Sequence, residues 1–350
     1  MIGVVSLGNQ GFALCSYLLS KGYRLIPYTS NVENLKIKKI ISTGKIEGEY
    51  EFCPTINLED VLNADIIFIT SITTAYSDIA NKIVEYSKKI DFSKKIFVLF
   101  SGKLGGVLVF NKVFVDNGIV TNIVETDAIF ASRKVSMDTV WVRGIKRWNL
   151  LISNKDYLGS DKSLEIYRIV RNIFDDIHLD IADNFIQRGL TDFGAMAHAT
   201  ISLINMANID SKKDLLFYID GITPNTVKLI EDVYYEFNSV AKIFGTSIIH
   251  PIELLDRYYG TVKTSLLDAI KNVPNYKYTK MPDSIYNRFL YEDVLNTLYP
   301  LTLLAKLKNV DLVLVPSIVN IMCSVLGIEK EKYGRTLDKM NFFCKEKVFI

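Results

Sequence analysis

Three polar residues along one apolar stretch are the first candidates for chemistry. His198, Ser202 and Asn205 fall at i, i+4 and i+7 between Asp192 and Asp210, so a helix presents them on one face. Around them Phe193, Met196, Ala197, Ile201, Leu203, Ile204 and Ala207 recur at helical spacing. No formal charge lies between the two aspartates, in a chain that is 23% charged. A face of His, Ser and Asn without Lys or Glu fits the wall of a cleft better than a solvated surface. The alternative is a buried helix whose histidine is satisfied by a backbone carbonyl. A second cluster, Arg288 through Glu292, Asp293 and Val294, precedes an apolar helix. Arg288 offers a planar fork suited to a carboxylate. Glu292 and Asp293 sit where a helix N-terminus stabilises negative charge. Plain helix capping with a surface arginine is the competing explanation. His178 precedes Leu-Asp in a strand-edge segment and His250 precedes Pro251 at a helix start, and both read as structural.

The elements that must position these groups fall into two parts. The chain opens with an apolar run, Ile2 to Leu7, then Gly8, Asn9, Gln10 and Gly11, then a helical run from Phe12 to Leu19. This is strand, glycine turn, helix. The dinucleotide fingerprint G-x-G-x-x-G falls on Ser6, Gly8 and Gly11, with serine in place of the first glycine. Gly8 lets a pyrophosphate approach the backbone, Gly11 lets helix and strand pack closely, and the helix N-terminus offers N–H groups to phosphates. A second strand, Tyr23 to Tyr28, ends in Thr29, Ser30 and Asn31 without the acidic residue that binds the ribose of NAD. Small polar residues there, with Lys36, Lys38 and Lys39 downstream, tolerate a 2′-phosphate, so the cofactor is NADP or NAD, with NADPH preferred. Strands at 65–69, 95–100 and 119–125 alternate with helices, which implies a doubly wound parallel sheet. Their carboxyl ends place Thr70, Ser101 and Glu125 among the cofactor-binding residues. Val135–Arg143 and Trp148–Ile152 look like antiparallel strands appended to that sheet. From about Asp183 the strand pattern gives way to long helical runs.

The expected fold is therefore an α/β Rossmann-type dinucleotide-binding domain, residues 1–183, followed by an all-α helical domain, residues 184–350. A length of 350 residues and 49% hydrophobic content suit two cores. The balance of 41 basic and 39 acidic residues gives +2, which argues against nucleic acid or a membrane surface as partner. Cys15, Cys53, Cys323 and Cys344 are scattered, so neither a zinc site nor a disulfide framework is expected and the thiols suit the cytoplasm. The N-terminus lacks a basic signal-peptide region, and no apolar run is long enough to span a bilayer.

With these residues in view, the chain resembles the octopine/nopaline (opine) dehydrogenase family over essentially its whole length. The resemblance rests on the glycine turn, on 101–106, and on Glu125-Thr126 with Arg133 downstream. In the helical half it rests on Met196 to Asn205, on Arg288 with Glu292 and Asp293, and on Val315-Pro316 through Tyr333-Gly-Arg335-Thr336. It implies joining of an amino acid to an α-keto acid and reduction of the imine by a nicotinamide cofactor. It also implies a catalytic His–Asp pair, matched by His198 and Asp293, and a substrate-carboxylate arginine, matched by Arg288. The chemistry agrees. A histidine titrates near neutral pH and so gives or takes the proton, and a neighbouring carboxylate fixes its tautomer. Ser202 and Asn205 would add substrate hydrogen bonds. The competing enzyme reading is a ketopantoate or glycerol-3-phosphate type reductase. Such enzymes rely on a lysine in the helical domain, and the helix here carries His198 and no lysine. A non-catalytic dinucleotide-binding protein is the third reading. A homodimer through the helical domain is compatible with the 19 Tyr and 19 Phe.

Overall fold

The computed structural model describes residues 1–154, 161–261 and 264–342. The chain divides into two compact units: 1–102 with 106–181, and 103–105 with 182–350. Residues 103–105 thus belong to the second unit, although their sequence neighbours on both sides belong to the first.

The first unit contains β1 (Ile2–Val5), α1 (Asn9–Ser20), β2 (Leu25–Tyr28), β3 (Lys39–Gly44), β4 (Gly48–Glu51), α2 (Leu58–Leu62), β5 (Ile66–Ile69), α3 (Tyr76–Val84), β6 (Ile96–Phe100), α4 (Gly106–Asp116), β7 (Asn122–Thr126), β8 (Phe130–Lys134), β9 (Thr139–Ile145), β10 (Trp148–Ser153), α5 (Asp161–Ile173) and β11 (His178–Ile181). The main sheet runs β11-β10-β7-β6-β5-β1-β2. Its ladders are parallel except between β7 and β10. The chain winds outward from β1, first to β2 on one side and later to β5 on the other. The carboxyl ends of these strands are therefore the place for a nucleotide. Buried runs such as Ile-Phe-Val-Leu-Phe in β6 are apolar throughout because both sheet faces are covered.

A second sheet, β4-β3-β9-β8, departs from the sequence expectation. Only Trp148–Ser153 joins the main sheet, whereas the 135–143 run falls mainly in β9 of the second sheet. β9 pairs in parallel with β3, a strand that periodicity did not announce because 39–51 alternates polar residues. This sheet packs on α1, whose other side meets β1 and β2. Covered by sheet on both sides, α1 is buried continuously from Gly11 to Leu18 and carries no charge in its first or last turn.

The second unit is helical: α6 (Phe185–Leu190), α7 (Phe193–Ile204), α8 (Met206–Asp210), α9 (Pro224–Ile243), α10 (Pro251–Tyr259), α11 (Leu266–Asn272), α12 (Arg288–Asp293), a π-helical turn (Val294–Leu298), α13 (Tyr299–Leu307), α14 (Leu314–Leu326) and α15 (Lys330–Tyr333). No strand interrupts it among the described residues. α7 packs against α9, α12, α14 and the π turn, and so forms its centre. Glu236 on α9 accepts the N–H groups of Val313, Leu314 and Val315, each at 2.7 Å, and so caps α14 from a distance.

The π turn has an identifiable cause. Pro300 has no N–H to give to Leu295 or Asn296, in either the π or the α pattern. Both carbonyls accept from outside the helix instead. Leu104 N–H donates to Asn296 O at 3.1 Å, and Arg335 N–H donates to Leu295 O at 2.9 Å. The Arg335 guanidinium also donates to Leu104 O at 2.8 Å. A proline in a helix thus fastens residues 103–105.

Candidate functional site

In the first unit, the turn after β1 is built as the glycine spacing requires. Ser6, at the first fingerprint position, adopts φ +82, a left-handed conformation that glycine takes freely and serine does not. Thr70 holds it there: its hydroxyl donates to Ser6 O at 2.6 Å and to Val5 O at 3.1 Å. A Cβ on Gly11 would stand 2.1 Å from Ser6 O, so that position admits only glycine. A Cβ on Gly8 would meet nothing within 4 Å, which leaves the backbone open where a phosphate approaches. A partly open pocket adjoins this turn, lined among others by Ser6, Tyr28, Thr29, Ser30 and Lys82. Its described lining includes no carboxylate. The turn, the α1 N-terminus and this cavity fit a dinucleotide.

Several expected cofactor ligands also tie the scaffold together. Asn9 Oδ1 accepts the Lys134 N–H at 2.8 Å, and Gln10 Nε2 donates to Phe130 O at 2.6 Å, so both side chains tie α1 to β8. The Thr29 hydroxyl accepts from Asn31 N–H at 3.1 Å and Asn34 Nδ2 at 2.9 Å and shapes the loop. Ser30 is exposed at the cavity. Glu125 is buried and its carboxylate accepts the Val107 N–H, which caps α4. Ser101 N–H is bound to Thr126 O at 2.8 Å, with Ser101 at φ +76. Two of the three basic residues expected to face a 2′-phosphate are otherwise engaged: Lys36 pairs with Glu33 at 2.5 Å and Lys39 with Glu49 at 2.7 Å. Lys82 on α3 is the cation that lines the cavity. It was missed because α3 lies far along the chain from the β2 end.

In the second unit, α7 begins at Asp192, whose Oδ1 caps the helix through Ala195 N–H at 3.3 Å. His198 follows two turns later. Gly194, one turn before it, leaves room for the ring, since a Cβ there would lie 2.8 Å from His198 Cε1. His198 Nδ1 lies 2.6 Å from Asp293 Oδ2, and Nε2 lies 2.8 Å from the Tyr218 hydroxyl. Tyr218 is fixed by stacking on Tyr276, centroids 3.8 Å apart, and edge-on to Phe217 at 5.0 Å. Asp293 is 1% exposed, and its other oxygen pairs with Lys103 Nζ at 2.6 Å. Lys103 in turn bonds Asp192 Oδ2 at 2.7 Å. The result is one line of polar groups: Tyr218, His198, Asp293, Lys103, Asp192. Burial presses Asp293 towards the neutral acid. The charges of Lys103 and His198, with their hydrogen bonds, outweigh it and hold the carboxyl below its usual range.

The spacing brought forward His198 and Asp293, which the structure joins. It did not bring forward Lys103, Tyr218 or Asp192 as members of the cluster. Lys103 sits in the 101–106 segment, whose glycines suggested a cofactor loop. Its own signals are a left-handed φ of +61 and near-complete burial, neither visible in sequence. The remaining stripe on α7 does not carry over. Asn205 ends the helix: its Nδ2 donates to Ile201 O at 2.9 Å and Gly221 O at 2.8 Å, and its Oδ1 accepts from Asn208 at 3.2 Å. These bonds engage both ends of its amide at the end of α7. Ser202 is fully buried and its hydroxyl has no hydrogen-bond partner among the described residues. Arg288 opens α12 with an exposed side chain, five residues before Asp293. The other histidines are structural. His178 bonds Asp180 at 2.9 Å at the surface, and His250 accepts the Ile252 N–H at 3.4 Å as the cap of α10.

Known proteins resemble this chain in sequence and in fold. Residues 181–326 match the model of the NAD/NADP octopine/nopaline dehydrogenase α-helical domain. The chain is 27% identical to the opine dehydrogenase of Arthrobacter sp. (strain 1C) over 350 aligned residues, 96% of this chain and 94% of that one. The helical half therefore carries the octopine/nopaline dehydrogenase α-helical domain. These likenesses support an NAD(P)-dependent oxidoreductase of the opine dehydrogenase type. The vitopine synthase of Allorhizobium ampelinum is 22% identical, with 89% of this chain and 86% of that one covered. A solved octopine dehydrogenase shares the fold at a TM-score of 0.78 and 17% identity, covering 97% of this chain and 95% of that one. Among the described residues no helix is long and apolar enough to cross a membrane, and no cluster of three His, Cys, Asp or Glu residues suits a metal ion.

Removal of the Asp293 carboxylate leaves the buried Lys103 with Asp192 as a carboxylate partner and takes the anionic acceptor from His198 Nδ1. Asp293→Asn is expected to cost about 3–5 kcal/mol in urea denaturation at pH 7. The sign of the pH dependence follows from the depressed pKa. The carboxylate stabilises the fold above the ordinary value of 3.8 and loses that contribution as pH falls through the lower folded value. The gap between wild type and Asp293→Asn therefore narrows in strong acid. An unchanged urea midpoint at pH 7 rules the arrangement out as a stabilising one.

Proposed function

We propose that this enzyme joins the amino group of an amino acid to the carbonyl of a 2-oxo acid and reduces the resulting imine, with NADPH preferred. The observation that carries the reading is the hydrogen-bonded line Tyr218–His198–Asp293. Asp293 receives Nδ1–H, so Nε2 is the atom that exchanges protons. There it takes a proton from the attacking amine and returns one to the departing hydroxyl, which leaves as water. The Tyr218 hydroxyl on Nε2 extends the line by one proton-carrying group. The nicotinamide, when bound, supplies the hydride to the imine carbon. Gly8, Gly11, the α1 N-terminus and Ser30 would hold the cofactor, with Lys82 facing a 2′-phosphate across a cavity whose described lining is free of carboxylates. The substrate classes draw support from the similar octopine dehydrogenase, whose structures contain NADH with L-arginine and NADH with pyruvate. We assign Arg288, with its exposed planar fork on the helix that ends in Asp293, to a substrate carboxylate.

Oxidation of NADPH is expected to require a 2-oxo acid such as pyruvate together with one of a panel of amino acids. Oxidation with the 2-oxo acid alone would identify a simple carbonyl reductase. His198→Ala should lower kcat by about 10²–10⁴, and activity within a few-fold of wild type removes His198 from proton transfer. Arg288→Lys, which keeps the charge and loses the fork, should raise the KM for substrate about tenfold or more while kcat changes less. An unchanged KM removes Arg288 from substrate binding. Lys82→Ala should raise the KM for NADPH and leave that for NADH nearly unchanged. Equal effects on both cofactors exclude a 2′-phosphate contact.

A further inference from the structure

We propose that Lys103 is the internal counter-ion of the proton-handling pair, a positioning residue that keeps Asp293 ionised on His198. The inference rests on the proposed role of His198 and adds a residue to it. Three independent features converge on Lys103.

The first is geometry. Its ammonium lies 2.6 Å from Asp293 Oδ1 and 2.7 Å from Asp192 Oδ2. Without a cation, two carboxylates that water barely reaches would face one another, and such a pair retains a proton. A protonated Asp293 would no longer accept Nδ1–H as an anion, and the tautomer of His198 would lose its anchor. The second is strain. Lys103 has φ +61 and Ser101 φ +76, both outside the range that L side chains prefer. Such conformations persist where surrounding structure over-determines them. The third is the fastening. Leu104 is bound through both its N–H and its C=O, the first by the Asn296 carbonyl that Pro300 leaves unserved, the second by Arg335. The Tyr333-Gly-Arg335-Thr336 segment therefore acts on the site through Leu104. Two carboxylates balanced by one lysine and one histidine form a cluster that is neutral when His198 carries a proton and singly negative when it does not.

The test uses the full chain, with the amino acid and 2-oxo acid pair that supports NADPH oxidation. The acid limb of kcat/KM reports protonation of the cluster. Lys103→Met removes a positive charge and should move that limb to higher pH by about one unit or more, with kcat near neutrality down at least tenfold. Asp192→Asn removes a negative charge while keeping a competent helix cap, and should move the limb to lower pH. The double variant restores the charge balance and should bring the limb back towards wild type and recover most of the lost kcat. NADPH binding followed by fluorescence checks that each variant is folded. If Lys103→Met does not fold, the Asp192→Asn shift alone decides. Acid limbs that stay in place, or a double variant no better than Lys103→Met, overturn the proposal. An active His198→Ala would sink the proton-transfer role itself. A dead His198→Ala with unmoved limbs would sink only the role of Lys103.

Discussion

The ion pair between Lys103 and Asp293 joins two groups that water barely reaches, and the helical unit is arranged around it. A buried carboxylate stays ionised only where fixed charges and donors replace its hydration. Here the replacement comes from two sides, the ammonium on one oxygen and the imidazole on the other. The same ammonium binds Asp192, which caps the helix that carries His198. Charge balance, helix initiation and imidazole orientation are thus one interaction. The site has no independent parts to exchange.

That interaction depends in turn on a defect in a helix. Pro300 has no N–H to offer the carbonyls of Leu295 and Asn296, two and three residues beyond Asp293 in sequence. Buried carbonyls need donors, and these two draw in Arg335 and Leu104. The π turn is therefore where the chain binds the segment that brings the lysine. Irregular backbone at a functional site has a specific cause here, a missing hydrogen and the partners that replace it.

The dinucleotide unit solves a related problem by the opposite means. The turn after β1 needs a left-handed residue, and a serine takes it at some cost in strain, held by the Thr70 hydroxyl. Asn9, Gln10, Thr29 and Glu125 spend their polar atoms on the loops and helix ends that shape the turn and its neighbours. Polar side chains near a nucleotide site are often scaffold, because a rigid loop itself needs hydrogen bonds.

Much of this was legible in the sequence. Period-2 and period-3.6 patterns marked the two-part plan, and the Gly8–Gly11 spacing marked the cofactor turn. An uncharged helical face brought His198 forward, with a buried structural histidine as the competing reading of the same spacing. The β3–β9 sheet was not legible, because its strands alternate polar residues and lie far apart in the chain. Nor were the places of Ser202 and Asn205, which helical spacing aligned with His198 and the tertiary structure assigned to a dry interior and a helix end. Local chemistry is written in residue types and short spacings, and these determined the fold class, the cofactor turn and the histidine. Only the tertiary structure decided which charge stands beside Asp293. A counter-ion is selected by distance in space, and Lys103 lies 95 residues from His198 and farther still from Asp293 in a chain that carries 41 lysines and arginines.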